Sequence, residues 1–184
     1  MRIGACACVL ALASCGQKTR CDLVSRGTIA FSSAEAPDTV ETRAIGESCN
    51  AAAAAFIVRD AGGVPIWAWA APFYPTFGDA FAPHAEGAGP GRVQIADFVS
   101  RWTRAEALKT SAAPAWAPEV ETSLERRIYD DIRARDLPML CFLVGVARQQ
   151  CIYWEPAAAT ADAFYLRDIG PPPPPEEDGR SDRK

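Results

Sequence analysis

The stretch Ala54-Ala55-Phe56-Ile57-Val58-Arg59-Asp60-Ala61-Gly62-Gly63-Val64-Pro65-Ile66-Trp67-Ala68-Trp69 decides how the chain is read. Two apolar runs flank a turn containing a glycine pair, and such a pair between apolar runs signals a β-hairpin. The alanines at 51–55 pull towards helix by propensity, but the Ile57 and Val58 that follow favour a strand. Pro65 offers no N–H to a ladder, so its strand is an edge strand or only begins there.

Upstream, Thr28–Ser32 and Thr39–Ile45 read as short strands around a polar turn. Downstream, residues 70–91 are rich in Gly, Pro and Ala and read as one long irregular loop. Two helices are expected next. Ile95, Phe98, Val99 and Trp102 follow the i, i+3, i+4, i+7 spacing of one apolar stripe. Val120, Leu124, Ile128 and Ile132 repeat every four residues behind Pro118, a residue suited to a helix start. Pro138 ends that helix, and Asp131 can pair with Arg135 across one turn. Strands return at Met139–Val146, Gln150–Trp154 and Ala163–Arg167. The order predicts an α+β domain, mainly antiparallel sheet with about two helices packed on one face.

The amino terminus carries an address. Arg2 precedes an uncharged apolar run from Ile3 to Ala13, too short to cross a bilayer as a helix and long enough for a signal-peptide core. The run ends in Leu12-Ala13-Ser14-Cys15, which resembles the lipobox of bacterial lipoproteins. That resemblance covers about the first fifteen residues. It implies cleavage before Cys15, acyl chains on that cysteine, and attachment to the lipid bilayer of the cell envelope. Gly16, in place of the Asp that usually retains such proteins at the inner membrane, favours an outer membrane location facing the periplasm. Ordinary secretion is the rival reading, because Ala11-Leu12-Ala13 also fits a signal-peptidase site.

Cysteine parity separates the two readings. Of seven cysteines, Cys6 and Cys8 leave with the signal and Cys15 is lipidated, so Cys21, Cys49, Cys141 and Cys151 remain. Cleavage after Ala13 would instead strand one thiol in an oxidising compartment. Four thiols allow three pairings; locality favours Cys21–Cys49 and Cys141–Cys151, the latter flanking a hairpin that turns near Gly145–Arg148. Structural bridges are the preferred role, since a redox-active pair wants closer spacing such as CxxC.

The expected organisation is a signal peptide over 1–14, a lipidated tether over 15–20, one α+β domain over 21–169, and a Pro-rich disordered tail over 170–184. Without Arg2 the chain carries 18 basic against 23 acidic residues. It has no basic run of the kind that binds nucleic acid.

Motifs for chemistry are weak. His84 is the single histidine, and no G-x-S-x-G accompanies it. Paired thiols would leave too few ligands for zinc, and no cofactor is implied. Glu119, Glu121, Glu125, Asp130 and Asp131 read as the solvent face of the second helix, with acids near its start suiting the macrodipole. Trp67 and Trp69 share one strand face; packing under the helices is the first expectation, an aromatic platform the sharper one. Arg148, Gln149 and Gln150 would present polar groups on a stiff hairpin, a binding edge or equally an ordinary turn. The reading is a non-enzymatic envelope lipoprotein that binds a protein or cell-wall component. The alternatives are an envelope hydrolase using His84 and acidic residues, or an inhibitor of lytic enzymes.

Overall fold

The computed structural model of the chain describes residues 20–81 and 91–170. Strands β1 (Cys21–Ile29), β2 (Asp38–Gly46), β3 (Ala53–Arg59) and β4 (Pro65–Pro72) form one antiparallel sheet in chain order. Helix α1 (Phe73–Phe77) and helix α2 (Arg92–Trp102) follow. Strand β5 (Glu106–Lys109), helix α3 (Arg126–Ala134) and strands β6 (Pro138–Gly145), β7 (Arg148–Glu155) and β8 (Thr160–Asp168) complete the order. β5 to β8 make a second antiparallel four-stranded sheet, again in chain order. This is a small single-domain α+β fold with two disulfides, Cys21–Cys49 and Cys141–Cys151.

The hairpin that set the reading forms as expected. Asp60 accepts the Gly63 N–H at 2.8 Å on its carbonyl and the Val64 N–H at 2.8 Å on its carboxylate. Gly63 has a φ of 83°, a left-handed conformation that a side chain resists. β4 begins at Pro65 and is an edge of its sheet.

Alternation along the strands divides the first sheet into two faces. Val40, Thr42, Ala44, Ala54, Phe56 and Val58 are buried on the inner face, joined there by Ile95, Phe98, Val99 and Trp102 of α2. The Thr42 hydroxyl donates to the Val99 carbonyl at 2.7 Å and so fastens α2 to β2. Leu140, Phe142 and Ile152 of the second sheet belong to the same core. A separate core beyond them holds Met139, Cys141, Cys151, Tyr153, Phe164 and Tyr165 against Tyr129 and Ile132 of α3. The second sheet is therefore buried against a core on both faces, the first on one.

Several expectations are corrected. The strand expected over Thr28–Ser32 is the end of the longer β1. Asp38 draws in the Phe31 and Ser32 N–H groups at 3.0 and 2.5 Å, bending the chain there and burying Phe31. The described part of the loop expected over residues 70–91 contains the end of β4, α1, and a 3₁₀ turn at Gly78–Ala80. Phe73 and Phe77 pull it inward, with ring centroids 5.5 and 4.8 Å from Phe98.

The helix expected from Pro118 starts only at Arg126. Upstream, Leu166 donates its N–H to the Glu121 carbonyl at 2.8 Å and Thr122 donates its hydroxyl to the Phe164 carbonyl at 2.6 Å. Pairing with the edge of β8 thus overrides helix periodicity. Val120 and Leu124 still pack against the second core, while Ile128 is exposed and Tyr129 takes its inward place.

Candidate functional site

Trp67 and Trp69 stand opposite Val58 and Phe56 in the β3–β4 register, on the inner face. The Trp69 ring meets those of Phe77, Trp102 and Phe142 at centroid distances of 6.1, 5.8 and 6.3 Å. Trp67 Nε1 is buried and finds no hydrogen-bond acceptor among the described residues. Both indoles are half-buried parts of the core, and packing is the role the geometry gives them.

Arg148 and Gln149 open β7, immediately after the two-residue turn Val146–Ala147. Arg148 pairs with Glu121. Gln149 accepts from Arg167 Nε at 2.8 Å, and the same guanidinium donates to Glu106 at 2.6 Å. The hairpin end therefore carries a lattice of paired ions spanning β5, β7, β8 and the segment around Glu121. Glu121 belongs to this lattice, not to a helix. Asp130 and Asp131 do lie on α3, paired with Arg126 and Arg135 at 3.5 and 3.8 Å.

Beside the lattice runs an open groove of about 340 Å³, with Phe164 and Leu166 as apolar lining and Thr122, Ser123 and Gln150 as polar lining. Tyr165 lines it as well. Burial raises the Tyr165 hydroxyl pKa, with Arg167 opposing. Such a surface can hold an extended segment by hydroxyls, amide and backbone.

A second polar cluster escaped sequence reasoning. Glu41 is only 2% exposed, yet it sits on the outer face of the first sheet. Arg26 Nε donates to one of its oxygens at 2.8 Å and Arg43 Nε to the other at 2.6 Å. Burial acts to raise the Glu41 pKa, but the two guanidiniums prevail and hold it below the usual carboxylate range. Arg43, two residues on and on the same face, was legible in the sequence. Arg26 required the β1–β2 register, in which it faces Glu41.

The disulfides join the pairs that locality favoured. Cys141 and Cys151 are direct register partners on β6 and β7 with Cα atoms 4.1 Å apart, and both are buried. Cys21 opens β1, and Cys49 opens a 3₁₀ turn after β2. At Gly46, which pairs with Cys21, any Cβ would come within 2.6 Å of the Ala51 carbonyl oxygen. The turn that brings Cys49 back thus packs directly on that glycine.

Cys15, the lipobox, His84 and the proline run lie outside the described residues. Among the described residues, no group of three or more His, Cys, Asp and Glu is placed to hold a metal ion, and no helix is long and apolar enough to cross a membrane. Models of protein families, curated proteins and solved structures were compared with the chain, and none matches it.

Proposed function

We propose that the chain is an exported envelope lipoprotein, held on the outer membrane through acyl chains on Cys15, whose domain binds a protein or cell-wall component without catalysing a reaction. One observation carries the reading. Lipidation at Cys15 leaves four thiols, and those four close as two bridges. Extracytoplasmic domains use cysteine in this way, and cytosolic ones rarely do. Two or more acyl chains hold a protein on a bilayer where a single chain is marginal. The groove beside Glu121, Arg148 and Gln149 supports the binding half of the proposal, because it sets hydroxyls and an amide over an apolar lining on a sheet edge.

Mass spectrometry of the native product tests the anchor: a mature terminus at Cys15 bearing acyl mass, with no thiol alkylatable before reduction, is expected. A terminus elsewhere without acyl groups overturns it. Pull-down from detergent-solubilised envelopes tests the binding role. A partner recovered by the native chain should be lost with Gln150→Ala, which leaves the ion lattice in place. Envelope-polymer turnover that disappears with His84→Ala would overturn the non-enzymatic reading.

A further inference from the structure

The outer face of the first sheet is laid out in four rows by its register. The row nearest the start of β1 reads Asp22, Ile45, Ala53, Pro72; the next reads Val24, Arg43, Ala55, Ala70. Arg26, Glu41, Ile57 and Ala68 follow, and Thr28, Thr39 and Arg59 close the face. Six of the eight residues in the first two rows are apolar. Val24 and Ile45 are 40% and 42% exposed, and Ala53, Ala70 and Pro72 are exposed too. The inner face of the sheet is a conventional core, so this apolar end of the outer face calls for its own explanation.

Position and charge supply it. The apolar rows lie at the end where the chain enters the fold from Cys15. Arg92 donates to the Arg20 carbonyl at 2.7 Å and to that of Asp22 at 3.4 Å, fixing where the chain enters. The six steps from Cys15 to Cys21 span at most about 20 Å, less than the roughly 27 Å of a nine-residue strand. A lipid-bearing Cys15 therefore keeps the apolar end of the face close to the bilayer. In a chain with more acids than bases, this face carries three arginines against Asp22 and the buried Glu41. Glu41 holds the Arg26 and Arg43 guanidiniums in place while using only part of their donors, and the Arg26 side chain stays 61% exposed. A guanidinium with donors to spare matches phosphate oxygens.

We infer that this outer face lies on the membrane, with Val24, Ile45 and their alanine neighbours in the headgroup layer and Arg26 and Arg43 on phosphates of anionic phospholipids. The inference rests on the anchor proposed above: the acyl chains supply attachment, and the face supplies orientation. The second sheet and its groove then point away from the bilayer, towards a periplasmic partner.

The test uses the full lipid-bearing chain in vesicles of phosphatidylethanolamine with phosphatidylglycerol, footprinted by hydroxyl radicals. Oxidation is read at Val24, Ile45 and Ile128, each normalised to the unfolded chain. Ile128 on α3 is 43% exposed and serves as a matched control. Val24 and Ile45 should be oxidised several-fold less than Ile128, and Val24→Glu should abolish the protection of Ile45 while both disulfides still resist alkylation. If a chain that carries its acyl mass and floats with the vesicles is oxidised equally at all three positions, the inference fails and the anchor stands. Protection that grows with the protein-to-lipid ratio would identify a second copy on the face, and also overturns it. A chain without acyl mass that stays out of the vesicles removes the anchor, and this inference with it.

Discussion

Phe56 of β3 and Phe142 of β6 stack with ring centroids 4.1 Å apart and planes within 5° of parallel, so each sheet presses a central aromatic against the other. Trp102 closes on Phe56 from α2 at 5.6 Å. The contact joins the two sheets and the helix in one core, and its loss should be felt by all three. Phe142→Ala removes a fully buried ring and leaves a cavity bounded by strands that cannot collapse into it. The expected cost is about 3–5 kcal/mol. Equilibrium urea unfolding should show one transition moved to lower denaturant. A shift under about 1 kcal/mol would mean the sheets do not depend on each other through this contact.

Thr110 ties α3 to the start of β6. It is fully buried; its hydroxyl donates to the Ile132 carbonyl at 2.8 Å and accepts the Leu137 N–H at 2.8 Å. Thr110→Val keeps the shape and strands both backbone groups, at a cost of about 1–3 kcal/mol for each group left unpaired. Arg148→Ala breaks an ion pair exposed on both sides and should cost no more than about 1 kcal/mol. Thermal unfolding of the two variants should rank them in that order.

Much of this architecture was legible because short-range physics dictates it. The Gly62–Gly63 turn, the stripe Ile95–Phe98–Val99–Trp102 and the Cys141–Cys151 hairpin each need only local spacing to be read, and each forms. What sequence reading missed depends on long-range pairing. β5 has four residues and exists only because Glu106–Lys109 aligns with Pro138–Cys141. Residues 120–124 carry helical periodicity, but Glu121 bridges to Leu166 of β8 and the Thr122 hydroxyl bonds the Phe164 carbonyl. The Arg26–Glu41–Arg43 cluster needs a strand register that no single-strand pattern encodes. The tryptophans were readable as core because they share one strand face and large aromatics serve packing first, whereas the groove by Glu121 was not, its two walls being 27 or more residues apart.

The two disulfides should differ in their response to reductant. Cys141 and Cys151 are both buried, while Cys49 is half-buried beside a surface turn. In the native state, graded dithiothreitol followed by alkylation should label Cys49 and Cys21 first, with Cys141 and Cys151 labelled only as the domain unfolds. The larger Cys21–Cys49 loop, with a separation of 28 residues against 10, also restricts the unfolded chain more. Its chain-entropy contribution is about 3.6 kcal/mol, against about 2.8 kcal/mol for the shorter loop. Simultaneous labelling of all four thiols would contradict the order.

Glu41 gives the fold a response to acid. Its folded pKa lies below the ordinary 4.5 because hydrogen bonds from Arg26 and Arg43 outweigh the effect of burial. A depressed carboxylate stabilises the fold above its unfolded pKa, and the contribution fades as pH falls from about 4.5 through the folded value. Glu41→Gln removes the charge at every pH and should cost on the order of 1–2 kcal/mol near neutrality. Urea midpoints of the native and Glu41→Gln chains should therefore differ at pH 7 and converge as the pH drops below 4. A constant gap across that window would show that the ionisation of Glu41 contributes nothing.

Alkaline unfolding should follow from the second core. Burial raises the Tyr129 hydroxyl to about 12 from an ordinary 10.0, with Tyr165 adding to the rise and Arg133 opposing it. Burial raises Tyr153 and Tyr165 as well. Tyr129 also donates to the Pro114 carbonyl at 3.0 Å and stacks on Phe164 with centroids 4.5 Å apart, so its ionisation would break a hydrogen bond in an apolar setting. A raised acid is held neutral by the fold. Its stabilising contribution is intact below pH 10 and is lost as pH climbs from 10 towards 12, because the unfolded chain releases the proton first. Tyrosinate absorbance at 295 nm should then rise in step with loss of the far-ultraviolet circular dichroism of the sheets. Tyr129→Phe, which keeps the stack and removes the proton, should move that joint transition to higher pH. If Tyr129, Tyr153 and Tyr165 all ionise near pH 10 while the sheets remain intact, the second core is open to water and the packing of α3 on β6–β8 is wrong.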